Sequence, residues 1–253
     1  MTDTQYAEVP VFTPELEVRI RALAASSTTH PALNNEFYRL WIGSTLSADQ
    51  VEIFAQNYYE RVSNAPVRIA LAFLHMKDIR ARAETVENLA DEMGMGNPRK
   101  VHSVLLRQFF ENLLSRIRGT GVDFDKLSAP VLPSTQRLVD EGVRLFSSDE
   151  PAEVCGALLA QEWNAYLQLV NIYEGARNYM HLFPLEEFHE NCEYFYLHIG
   201  ATEKEHKIHS LSTAAQMCHS EVDFRYLERG FTTYLDLLAE NWNEINRSIH
   251  EAG

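Results

Sequence analysis

Apolar positions recur at three- and four-residue spacing along almost the whole chain, and no stretch keeps the strict alternation of a half-buried strand. Thr13-Pro14-Glu15 offers an N-cap with proline at the first helical position, followed by Leu16, Ile20 and Leu23 on one face. A second helix is expected over 33–42. Ser47-Ala48-Asp49-Gln50 reads as a capping box that opens a long helix carrying Ile53, Phe54, Tyr58, Val62, Ile69, Phe73 and Met76. Pro66 lies inside that pattern and should kink the helix or split it in two. The next helix runs over 79–93 and stops at Gly94-Met95-Gly96-Asn97-Pro98, and its successor carries Val101, Leu105, Phe109 and Leu113. Gly119 to Pro133 is the longest loop, and four further helices follow near 134–147, 151–180, 185–217 and 221–250. There is no repeat, low-complexity segment or linker-like boundary. The pattern predicts one all-α domain over 1–253, with 1–12 as an N-terminal tail and roughly seven to nine helices.

Composition narrows the partners. With 36 acidic against 22 basic residues the net charge is −14, which repels phosphate backbones and anionic lipid. Nucleic acid and membrane are therefore not expected partners. No apolar run approaches the ~20 residues of a membrane span, and the first residues lack a signal-peptide pattern, so a cytoplasmic protein is expected. Cys155, Cys192 and Cys218 are widely spaced with no CxxC, and read as small hydrophobes in a reducing compartment.

Helical folds host many functions, so chemistry must be sought in polar residues on apolar faces. Glu162 sits among Leu158, Leu159, Ala165, Tyr166 and Leu169 at helical spacing, where a carboxylate needs a metal, an arginine or a hydroxyl partner. His198 lies in the apolar run Tyr194-Phe195-Tyr196-Leu197-His198-Ile199, just before Thr202-Glu203-Lys204-Glu205-His206-Lys207-Ile208-His209. Imidazole and carboxylate close together suit a first-row metal, while a solvated charged turn explains Glu203 and Glu205 as well. On a straight helix His198, Thr202, Glu205 and His209 share a face, with His206 roughly 80° and Glu203 roughly 140° away. Asp91-Glu92 and His102 flank the glycine turn, which can bring both side chains to one point or leave them as a polar helix end. The pairs Glu186/His189 and Glu203/His206 lie too close in sequence for a ferritin-like dimetal bundle.

Four segments in order resemble the haem-oxygenase-like diiron oxidases: 54–62 (FAQNYYERV), 88–96 (NLADEMGMG) followed by His102, Glu162 on its apolar helix, and Tyr196-Leu197-His198-Ile199 leading to Glu203 and His206. The branch concerned is that around the chlamydial protein associating with death domains. Pyrroloquinoline-quinone synthase and thiaminase II share the fold without the diiron site. The resemblance covers about residues 30 to 215 and implies a helical bundle of haem-oxygenase type. It implies Glu92, His102, Glu162, His198, Glu203 and His206 as metal ligands, with Glu60 as a further bridging carboxylate. Glu203 stands five residues after His198 where the family has an aspartate four residues on, so this sequence carries one extra residue. A π-bulge at about Gly200 to Thr202 would restore the register; the rival is a straight helix that offers Glu205 and His209. The implied function is a non-haem diiron oxygenase or oxidase, using two Fe(II) ions and dioxygen on a small amine, amino acid or fatty acid. A metal-free enzyme of the same fold acting on a heterocycle, or a non-catalytic binding protein, remains the alternative. The expected partner is a small-molecule substrate, and a homodimer is compatible with the reading.

Overall fold

Local signals set the helix boundaries in this computed structural model, which describes residues 14–199 and 201–253, with backbone alone at 14 and 201–206. Helix α1 (Pro14–Ser26) starts at its proline, and α2 (Glu36–Gly43) starts one residue after Asn35, whose side chain accepts from the Tyr38 N–H. Both halves of the Ser47/Gln50 capping box form at the head of α3 (Ala48–Ser63). The chain then breaks at Asn64, and α4 (Ala65–His75) begins with Pro66 in its first turn, where the missing N–H is harmless. Helix α5 (Ile79–Glu92) ends at the glycine turn, and α6 (His102–Arg118), α7 (Pro133–Phe146) and α8 (Pro151–Ala176) follow. The last elements are α9 (Leu185–Asn191), α10 (Glu193–Ile199), α11 (Ala201–Met217) and α12 (Glu221–Glu251).

The fold is all-α, and no strand occurs among the described residues. The helices are more numerous than spacing predicted. The span expected at 185–217 contains the separate short α9, closed at Cys192, whose N–H turns back onto the carbonyls of Phe188, His189 and Glu190. The span expected at 151–180 tightens into a 3₁₀ turn over Arg177–Leu182. No described helix is long and apolar enough to cross a membrane.

Helix α8 is the axis of the bundle. It is buried on nearly every side, as a helix apolar all round must be, and packs on α12, α11, α2, α10, α7 and α4. Two glycines let α8 and α12 touch backbone to backbone: a Cβ on Gly156 would stand 2.0 Å from the Leu227 carbonyl oxygen, and one on Gly230 would stand 2.0 Å from that of Glu153. Beside them Phe37, Trp41, Phe54, Tyr58 and Trp242 form an aromatic core, with Phe37 stacked on Trp242 at 4.9 Å. All three cysteines are free and buried, and burial pushes the thiols up, that of Cys192 to about 12.

The 119–132 loop is tied to α3 by Asn57, which bonds Pro130 and Leu132, and by the buried carboxylate of Glu52. Glu52 accepts from the Ser128 hydroxyl (2.8 Å) and the Ala129 N–H (2.8 Å), and also from the Ser128 N–H and the Arg118 guanidinium. Burial pushes its pKa up, but these donors favour the charged form more strongly, so the net shift is downward. A depressed carboxyl stabilises the fold above its ordinary titration range, and the gain is lost as pH falls through the folded value. Glu52→Gln is accordingly expected to cost about 2 kcal/mol at neutral pH. The difference from wild type should shrink once pH falls below the carboxylate range, measured by urea unfolding at both pH values. A constant difference would show that charge is not what holds the loop.

Candidate metal centre

The first pair of candidate ligands is set by a turn that only small or strained residues can make. Gly94, Met95 and Gly96 all have positive φ (65°, 50° and 82°), and a Cβ on Gly94 would lie 2.5 Å from the Lys100 carbonyl carbon. The chain doubles back sharply enough to set the end of α5 against the start of α6. Glu92 Oε2 then stands 3.3 Å from His102 Nδ1. From α10, His198 brings its Nε2 to 4.0 Å from Glu92 Oε1 and its ring centre to 4.2 Å from that of His102.

Burial and hydrogen bonding set the state of each imidazole. His198 Nδ1 lies 2.7 Å from the Tyr194 carbonyl, which can only accept, so Nδ1 carries a proton and Nε2 is the ring nitrogen turned toward Glu92. A second N–H held by a backbone carbonyl is the usual arrangement of a metal-binding histidine. His102 is buried, and its Nδ1 makes no hydrogen bond of good geometry among the described residues. Burial pulls the His102 pKa down, but the adjacent Glu92 carboxylate more than offsets it and the net shift is upward. A metal entering there displaces that proton, so binding tightens as pH rises.

One carboxylate and two imidazoles, with ligand atoms all within 4.8 Å of one another, fit a divalent metal. Two histidines and one carboxylate are the donor set of non-haem Fe(II) sites with open positions for oxygen. Glu162, buried on α8, lines the same cavity as Glu92 and His198 and accepts from the Gln161 amide at 2.9 Å. It also borders a small second cavity with Asn88 and His209. The side chains of Glu203, Glu205 and His206, and a π-bulge at Gly200 to Thr202, lie outside the described residues. Glu60 is half-buried and does not line the cavity; its neighbour Arg61 does.

A family model for iron-containing redox enzymes matches residues 52–238. The chain belongs to that family. This member of the iron-containing redox enzymes is 29% identical over 109 residues to a 4-aminobenzoate synthase of Chlamydia pneumoniae, covering 43% of this chain and 47% of the other. It is 26% identical over 151 residues to the pyrroloquinoline-quinone synthase of Rhodopseudomonas palustris, covering 58% and 54%. The chain thus spans about half the length of these relatives. A Shewanella denitrificans domain with a heme oxygenase-like fold superposes with a TM-score of 0.65 at 16% identity, covering 92% of this chain and 91% of that one. The fold is therefore haem-oxygenase-like, and the Glu92/His102/His198 cluster is a candidate metal site in a chain of an iron-containing family.

Two cations also line the cavity, neither of them expected there from the sequence pattern. Arg61 and Arg68 are both buried and both line it. They occupy core positions two helical turns apart in the 47–76 pattern, a spacing that is itself a visible signal.

Proposed function

We propose that this protein is a non-haem diiron oxygenase or oxidase that uses dioxygen to oxidise a small organic substrate. The observation that carries the reading is the buried Glu92, His102 and His198 cluster in a chain of the iron-containing redox family. Glu92 would hold one Fe(II) with His102 and His198, and Glu162 would share a second with Glu203 and His206. Iron bound there supplies the electrons that reduce dioxygen. The chain's own residues prepare the place for it. Tyr194 fixes the His198 tautomer through its carbonyl and packs its ring 4.5 Å from the imidazole. Tyr58 and Tyr194 line the cavity as buried rings and keep bulk water from the ligands. Gln161 donates to Glu162 and holds that carboxylate at the cavity wall.

The experiment is anaerobic loading with Fe(II), removal of unbound metal, and counting of iron per chain. About two ions per chain are expected on the ligand set above. Glu203→Ala should lower the count to about one. One ion in the wild type would leave a mononuclear enzyme, and none would favour the metal-free chemistry found on this fold.

A further inference from the structure

The cavity beside the candidate metal ligands carries two buried guanidinium groups that form no salt bridge with a carboxylate among the described residues. Arg61, in the last turn of α3, and Arg68, in the first turn of α4, are turned into it by the break at Asn64. They are 5% and 2% exposed, and no carboxylate oxygen lies within salt-bridge distance of either among the described residues. One guanidinium nitrogen of each, Nη1, is buried without a hydrogen bond. The Arg61 guanidinium lies 4.8 Å from the Tyr58 ring centre and 4.7 Å from that of Trp242, contacts that offset only part of the desolvation of a buried charge. Arg68 is held in place: Nε donates to Gln161 Oε1 at 2.7 Å, and Nη2 to the Arg61 carbonyl at 3.4 Å. Gly142 leaves room for its stem, since a Cβ there would sit 3.3 Å from Arg68 Cδ.

We infer that Arg61 and Arg68 form the subsite for a carboxylate on the substrate, which is therefore a small organic acid. A buried guanidinium pair that no described carboxylate bonds directly is stabilised when a ligand brings a hydrogen-bonding negative group, and the planar donor fork matches a carboxylate. Glu92 and Glu162 line the same cavity, so a doubly charged phosphate would be repelled by them about twice as strongly as a monoanion. The cavity, about 80 Å³, suits a compact acid and not a long acyl chain. The substrate assignment rests on this cavity being the active site proposed above.

The test is calorimetric titration of the full chain, metal-free and Fe(II)-loaded without oxygen, with butyrate, its neutral isostere butyramide, and inorganic phosphate. Butyrate should bind at least about tenfold more tightly than butyramide in both forms, the discrimination expected of charge-assisted hydrogen bonds. Arg68→Gln and Arg61→Gln should each weaken butyrate by about tenfold or more and leave iron per chain unchanged. Arg68→Lys, which keeps the charge but loses the fork, should fall between, and the wild-type comparison stands even if a variant does not fold. Equal affinity for acid and amide, binding of phosphate in preference to butyrate, or butyrate binding only in the iron-loaded form would overturn the subsite. Iron counting is a separate readout, so loss of the diiron reading and loss of the carboxylate subsite are distinguishable.

Discussion

His198→Ala is expected to weaken Fe(II) binding at the first site more than about a hundredfold, beyond what loss of an outer-shell partner costs. Nε2 of His198 is turned toward Glu92, and its ring stands 4.2 Å from that of His102, so its removal takes one of three candidate donors from one point. The remaining Glu92 and His102 are a two-donor set, too few to fix a non-haem iron. The proton that Glu92 helps to hold on His102 then competes more effectively with the metal. Anaerobic Fe(II) titration against a competing chelator measures the change, with circular dichroism to confirm that the helices persist. His219→Ala, at an exposed site between α11 and α12, should leave binding within error. If His198→Ala binds iron as the wild type does, the cluster is not the metal site.

The largest loss of stability should come from adding one methyl group at the α8–α12 crossing. A Cβ on Gly156 or Gly230 meets a backbone carbonyl oxygen at 2.0 Å, and backbone cannot rotate away as a side chain can. The helices must separate, which opens gaps along a contact that is fully buried on both sides. Gly156→Ala and Gly230→Ala are each expected to cost about 3 kcal/mol or more, at the upper end of overpacking effects. The gain in helix propensity from glycine to alanine returns only about 1 kcal/mol of that. Because the two sites share one crossing, the double variant should cost less than the sum. Urea unfolding measures all three, and a loss under about 1 kcal/mol in either single variant would show that the crossing can relax.

The sequence spoke clearly wherever one local rule acted alone. Ser47 and Gln50 satisfy each other's backbone, Pro66 cannot continue α3, and Gly94 and Gly96 permit positive φ, so each of these features was legible. The start of α2 was read too early at Leu33, because Asn35 was not weighed as a cap. The short α9 was hidden because Cys192 is an ordinary helical residue, and only the packing of Phe188 and Cys192 into the core makes the chain turn there. At the site, Glu162 was visible as a carboxylate inside an apolar stripe. Arg61 and Arg68 give a weaker signal, because asparagines stand among their helical neighbours and a long cation on a helix is ordinarily solvated. Glu60, beside Arg61, does not line the cavity, because adjacent residues on a helix point ~100° apart.

The two kinds of cavity lining are secured by different means. His198 takes its orientation from a main-chain carbonyl one turn back in its own helix, which no substitution can delete. Arg68 takes part of its orientation from the Gln161 side chain, which substitution by a residue without an acceptor there would remove. Inheritance therefore acts unequally on them. Substitutions at 61, 68 and 161 can reshape the cavity wall without touching the carbonyl that aims the imidazole. Which bonds are made by backbone and which by side chains thus sets which parts of the wall are open to change.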